Sequence, residues 1–176
     1  LLVVVHPAVP VKTMTELVAY AKAQGKPLQY TTGGIGSYGH LWWEMVRSRQ
    51  QIAGEHIAYN GIAPALKDVM GGQVPLLIDA IVPSGAQVQA GTVRGIAIVA
   101  AQRAKSLPNL PTLKELGVNV VYDVNRGVVA PKGTPVDVVA KLESSCAAAA
   151  KEPAYAQAMK LQATDVRYMG RKQYAD

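Results

Sequence analysis

Short apolar runs alternate with helix-like segments along the first two thirds of the chain, and glycine or proline stands at most of the junctions. The runs are Leu1–Val5, Leu28–Thr31, Glu55–Tyr59, Val74–Asp79 and Arg94–Ala101. Between the first two, Thr13-Met14-Thr15-Glu16 is a capping box, in which Thr13 caps a helix start and Glu16 reaches back, and the helix it opens ends near Gly25. Leu41, Trp42, Met45 and Val46 recur at helical spacing over residues 38–51 and read as core. Pro64 suits the first turn of a helix that stops at Gly71-Gly72, and a further helix starts at Ala80 and ends at Gly91. After the loop Leu107–Pro111, a short helix is expected to end at Gly117. Runs that are apolar on both faces belong between two helix layers, so this order predicts an α/β fold built on a parallel sheet.

One junction carries more than turn chemistry. Thr31-Thr32-Gly33-Gly34-Ile35-Gly36-Ser37-Tyr38-Gly39-His40-Leu41 runs from a strand end through a glycine-rich turn into a helix. The first amides of a helix lack intrahelical acceptors, and with the helix dipole they favour an anion. Glycines let the chain take positive φ and let a ligand approach the backbone, while Thr31, Thr32, Ser37 and Tyr38 add hydroxyls. Two readings stay open here: a carboxylate cradle, and a tight turn that holds nothing. In open α/β sheets ligands sit outside the carboxyl ends of strands. The other polar strand ends are Tyr59-Asn60-Gly61 and Asp79, each just before a helix start. If the three strands are neighbours, three helix starts converge on one cleft.

Other chemistries fit less well. Gly34-x-Gly36-x-x-Gly39 has the dinucleotide-site spacing, but the next strand ends in Tyr59-Asn60 where an acidic residue would meet the ribose, and Glu55 lies at its beginning. A hydrolase could be assembled from Ser37, His40 and Asp79, but Ile35 stands where a nucleophile elbow needs glycine. No metal spacing is present. The net charge of +6 suits an anionic ligand, but Lys and Arg are dispersed and no zinc-finger or RNP-type motif appears, so nucleic acid is not an expected partner. The lone Cys146 lies in a helical stretch without a nearby His and reads as a buried structural thiol. No apolar run approaches the length of a membrane span.

Composition shifts near residue 120. A long extended run, 119–131, leads to Lys132-Gly133-Thr134-Pro135 and an alanine-rich helix over 135–151, with Thr134 as its expected cap. A second helix follows from Pro153 to about Gln162, then a short strand over Thr164–Tyr168. The opening run has no preceding Met or basic segment and is not a signal peptide, and the closing residues read as a helix just beginning. Both ends suggest a piece of a longer protein.

Taken in order, these segments resemble the extracytoplasmic solute-binding receptors of tripartite tricarboxylate transporters, the Bug (Bordetella uptake gene) or TctC-like family. The likeness is carried by Val5–Pro10 with Thr13 and Glu16-Leu17, by Leu28–Leu41, by Tyr59–Leu66 with its Tyr-x-Gly-x-x-Pro-Ala-Leu pattern, by Gly71–Val74, Asp79 and Gly91, by Leu107-Pro108 to Pro111-Thr112, and by Gly127–Pro135. The resemblance implies a two-lobed fold of the type II periplasmic-binding-protein kind, here one complete lobe plus part of the other. Residues 1–7 would be a lobe-one strand and crossover, 8–119 the second lobe, and 120–176 the return crossover and the end of lobe one, whose first part is absent. It implies a periplasmic receptor that captures a small organic carboxylate for membrane permease subunits, without catalysis, cofactor or metal.

The ligand-binding residues so implied lie among Thr31, Thr32, Gly33, Gly36, Ser37, Tyr38, Tyr59, Asn60, Gly61 and Asp79. Gly33 departs from the hydroxyl residue common in the family. Arg126, where the family often has an aromatic residue, could meet a second carboxylate or stay solvated. Leu1–Val5 and Val120–Val129 would lack the partner strands that the absent part supplies, and such open apolar strands are expected to make the isolated chain self-associate.

Overall fold

The apolar runs become strands β1 (Leu2–Val5), β2 (Leu28–Thr31), β3 (Gly54–Ile57), β4 (Leu76–Asp79) and β5 (Arg94–Ile98). Between them lie helices α1 (Met14–Ala23), α2 (Tyr38–Gln50), α3 (Ile62–Met70) and α4 (Ile81–Gln89). A computed structural model of the protein describes residues 1–118, 127–161 and 166–175. These belong to two compact units, Leu1–Val124 and Asn125–Asp176.

In the first unit the strands form one sheet in the order β3-β2-β4-β1-β5. Strand β2 is parallel to both β3 and β4, whereas β1 runs antiparallel to β4 and β5. The expectation of a parallel sheet therefore fails at β1. A strand buried on both faces reads as a continuous apolar run whichever way it points. Direction is set by its neighbours in space, which the run itself does not encode. Residues 1–7, expected to belong with another lobe, likewise supply a strand inside this sheet, with Leu2 opposite both Asp79 and Ile98. That position removes part of the basis expected for self-association, since β1 is hydrogen-bonded on both sides.

Side chains alternate across the sheet as strand geometry requires. Val3, Val5, Tyr30, Leu76 and Ile78 meet Met14, Leu17 and Ala21 of α1 and Trp42 and Trp43 of α2 on one face. Leu2, Val4, Leu77 and Ile98 meet Ala65, Leu66 and Val69 of α3, with Ile81 and Val88 of α4 packed alongside, on the other. Each such burial is worth ~1.5–3 kcal/mol before entropy is counted. At the β5 edge, Ile98 pairs with Thr112 in an isolated parallel bridge.

Local signals account for several boundaries. Thr13 Oγ1 accepts from the Glu16 amide and Glu16 Oε2 accepts from the Lys12 amide, so the capping box closes one residue earlier than its simplest form. Ser37 is the N-cap of α2, its Oγ accepting from the His40 amide. The segment before Gly117 forms turns rather than a helix.

In the second unit, α5 (Val136–Ala149), α6 (Pro153–Leu161) and α7 (Arg171–Ala175) are helical. Thr134 does not cap α5: its hydroxyl donates to the Pro131 carbonyl, and Pro135 occupies the cap position. Cys146 is half-buried rather than buried, on a helix with no buried residue in this unit. Residues 166–168 are not in a strand, while 164–165, like 119–126 of the extended run, lie outside the described residues.

The start of α2 rests directly on the end of β4. A Cβ placed on Gly39 would lie 2.4 Å from the Ile78 carbonyl oxygen, a backbone atom that cannot step aside. Gly39→Ala should therefore destabilise the protein by roughly 1–3 kcal/mol, the range for forced overpacking. Urea unfolding of the two forms checks this, with a lower midpoint and an unchanged slope expected.

Candidate functional site: the loops at the carboxyl edge

Because β3, β2 and β4 are parallel neighbours, their carboxyl ends open on the same edge, and the loops into α3, α2 and α4 lie side by side. A Cβ on Gly34 would sit 3.4 Å from the Tyr59 carbonyl, so the β2 loop also touches the β3 loop. The expected convergence of three helix starts is met. Residues 31–41, 58–63 and 79–85 contain no Lys or Arg. An anion here would be met by hydroxyls, amides and helix ends rather than by a cationic side chain.

The central loop is organised around Thr32. Its Oγ1 accepts from the Gly34 amide at 3.2 Å and from the Ser37 hydroxyl at 3.2 Å, and lies 3.0 Å from His56 Nε2. Gly34 and Gly36 take φ of 133° and 75°, in the region that favours glycine, and these turn the chain back toward α2. The Gly36 amide donates to His40 Nδ1 at 3.2 Å, and the Ser37 amide to the Gly34 carbonyl. Among the described residues, the Tyr38 and Gly39 amides have no acceptor. The amides free to meet a ligand thus start at Tyr38, two residues later than the glycine pattern alone suggests.

The expected site residues separate into two groups. Gly36 and Tyr38 are exposed, and Gly33 and Ser37 are partly so, all on the central loop; Asn60 is exposed beside the partly buried Gly61. Thr31 and Thr32 have no exposed surface, so they support the loop and do not offer hydroxyls outward. Tyr59 turns its hydroxyl to Asp68 of α3 and packs in the core on that face, leaving its backbone to the edge. Asp79 is partly buried at the end of β4, where it accepts from the Ser84 hydroxyl at 2.9 Å. Arg126 lies outside the described residues. Ile35, 79% exposed at the loop tip, was not among the candidates, since nothing in a lone apolar residue marks it.

Beneath the loop lies a cluster that reading along the chain did not assemble. His40 of α2 and His56 of β3 have ring centroids 4.4 Å apart, and Tyr30 of β2 stacks on both, at 6.5 and 5.0 Å. Tyr30 donates its hydroxyl to Glu44, which also pairs with Arg47. Hydrogen bonding from Arg47 holds the Glu44 carboxyl at a pKa of about 2, so it stays ionised. Burial, and then the neighbouring His40, lower the pKa of His56 and favour its neutral form.

Neither enzyme-like arrangement is assembled. Ser37 Oγ bonds Thr32 and the His40 backbone amide, His40 Nδ1 is taken by Gly36, and the Asp79 carboxyl bonds Ser84. Glu55 is exposed in the first half of β3, and its carboxylate accepts from the Gln29 side-chain amide. Among the described residues no cluster of His, Cys, Asp and Glu could hold a metal.

A mixed five-stranded α/β unit with its loops gathered at one edge is the architecture of solute-binding proteins of the periplasmic type. The R. palustris protein solved with adipate superposes with a TM-score of 0.83 at 28% identity, over 99% of this chain and 58% of its own. The periplasmic binding protein BugD gives 0.74 at 31% identity, over 94% of this chain and 56% of its own. The match to the family described as "Tripartite tricarboxylate transporter family receptor" runs over residues 1–176, and the chain belongs to that family, one of receptors and not of enzymes. The UPF0065 protein of the gbd 5' region of Cupriavidus necator is 35% identical over 167 residues, 94% of this chain and 50% of the relative. The chain thus spans about half the length of that curated relative.

Burial raises the Asp79 pKa from 3.8 to about 6, against the opposing Ser84 hydrogen bond. The folded state then holds this proton where the unfolded chain has lost it, so the contribution to stability is full below about pH 4 and is lost as pH rises through 6. Asp79→Asn should remove this fall, which is of order 3 kcal/mol. The check is thermal unfolding of both forms between pH 4 and 7, with the variant gaining relative stability as pH rises.

Proposed function

We propose that this chain supplies one face of the ligand site of a periplasmic receptor that captures a small organic carboxylate for a tripartite tricarboxylate-type transporter. The observation that carries the reading is the three-loop edge, where Ser37 and the Tyr38 amide stand at a helix start next to two further loops and no cation competes for the anion. Family membership supports it, as does the adipate in the R. palustris protein's structure. Asn60 and Gly61 would flank the ligand from the β3 loop. Asp79 would face it from β4, in its protonated form below about pH 6. Among the described residues no helix is long and apolar enough to cross a membrane.

Ser37 serves both the helix and the ligand, and two substitutions separate those roles. Ser37→Ala removes the cap and the ligand contact together. Ser37→Asp keeps a cap acceptor but sets a negative charge where the carboxylate would bind. With adipate titrated calorimetrically into the full-length protein, Ser37→Ala should weaken binding by ~1–3 kcal/mol. Ser37→Asp should abolish binding while melting within a few degrees of wild type. Affinity unchanged by Ser37→Asp would remove the cradle from the site.

One face of a site cannot hold a small anion tightly. Two charge-assisted hydrogen bonds supply ~3–6 kcal/mol and association costs at least ~4 kcal/mol. The 176-residue chain alone should bind adipate no better than about millimolar, as read from the same titration.

A further inference from the structure

We infer that His40 is a positioning residue that holds the ligand loop in shape only as a neutral imidazole, so that acidification loosens the loop and weakens its grip on a bound anion. The consequence for binding rests on the carboxylate reading above; the consequence for the loop does not.

The constraint comes from counting protons and lone pairs. The Gly36 amide points its proton at His40 Nδ1, 3.2 Å away, so this nitrogen must carry a lone pair. Protonation there sets N–H against N–H, and Gly36 must leave. The Thr32 hydroxyl has one proton and two lone pairs. Accepting from the Gly34 amide and the Ser37 hydroxyl uses both lone pairs, which leaves its proton for His56 Nε2 or the Gly34 carbonyl. A protonated His56 donates at the same place, and Thr32 keeps both Gly34 and Ser37 by turning its own hydroxyl hydrogen to Ser37 Oγ, so here a bond reverses rather than breaks. Charge on His40 therefore breaks one of the bonds that shape residues 34–37, whereas charge on His56 leaves its contact with Thr32 in place.

The surroundings oppose and favour that charge in known ways. His56 faces His40 across 4.4 Å, so a second positive charge is resisted. Tyr30 of β2 covers both rings and offers no charge, its hydroxyl being committed to Glu44. Ionised Glu44 is the nearby anion, and Arg47 already shares it. Burial and His40 lower the His56 pKa, which favours a neutral imidazole at that position. An imidazolium would also attract a carboxylate through space. That effect has the opposite sign, so the pH profile distinguishes a positioning role from a direct electrostatic one.

Two measurements on the full-length protein test this. In the absence of ligand, with glycine amides labelled, the Gly36 resonance should shift between pH 7.5 and 5.5, and the shift should vanish in His40→Asn, whose Oδ1 can stand where Nδ1 stood but cannot take a proton. A Gly36 resonance that ignores pH overturns the inference. With adipate as probe, and in an Asp79→Asn background that removes the carboxyl titrating near pH 6, binding should be about tenfold weaker at pH 5.5 than at 7.5, the scale of one lost hydrogen bond. His40→Asn should flatten that profile, and it should recover part of the affinity that His40→Leu loses. Tighter binding at pH 5.5 in that background also overturns it. If adipate and other carboxylates fail to bind at any pH, the carboxylate reading falls, and the Gly36 titration still decides the role of His40.

Discussion

The pairing of β2 with a parallel strand on each side is the constraint on which the rest of this site depends. Strand β2 meets β3 through Leu28–Thr31 and β4 through Tyr30 and Thr31, so its carboxyl end lies between theirs. Any loop leaving that end is flanked by two others. The glycines then let the central loop close on its neighbours: Gly34 lies against the Tyr59 carbonyl, and Gly39 brings α2 down onto Ile78. A side chain at Gly39 would lift the helix start off the sheet and move the Tyr38 amide with it.

The same pairing builds the support under the loop. Tyr30 is opposite His56 in the β2–β3 register, and α2 returns His40 over both. The polar groups nearest the ligand edge are therefore fixed by partners from three elements. Thr32 is the point where these connections meet, which explains why a hydroxyl with no exposed surface matters to a site at the surface. Electrostatically the edge relies on oriented neutral donors. Under the proposed function, such dipoles would meet an anion without a fixed positive charge on these loops.

Much of the first unit was legible because its signals are local. The capping box at Thr13, the Ser37 cap and the glycines of the central loop lie within a few residues of what they determine. Family likeness was legible for a related reason: many short patterns fall in a set order along the chain, and their order is a property of the sequence. The Thr134 cap failed because a hydroxyl one residue from a helix start has other acceptors nearby, and Pro131 offered one.

The sequence by itself determined the five strands of the first unit, the four helices between them, and that the sheet is covered on both faces. Tertiary structure decided the rest. The antiparallel run of β1 between β4 and β5 depends on hydrogen bonds to strands more than 70 residues away, and an apolar run looks the same in either direction. Which hydroxyls and amides remain free was settled only when Thr32, Gly36 and Ser37 found their partners. The pairing of His40 with His56 exists because β3 lies beside β2 in one particular register. A one-residue slip would turn His56 to the other face of the sheet, since side chains alternate along a strand.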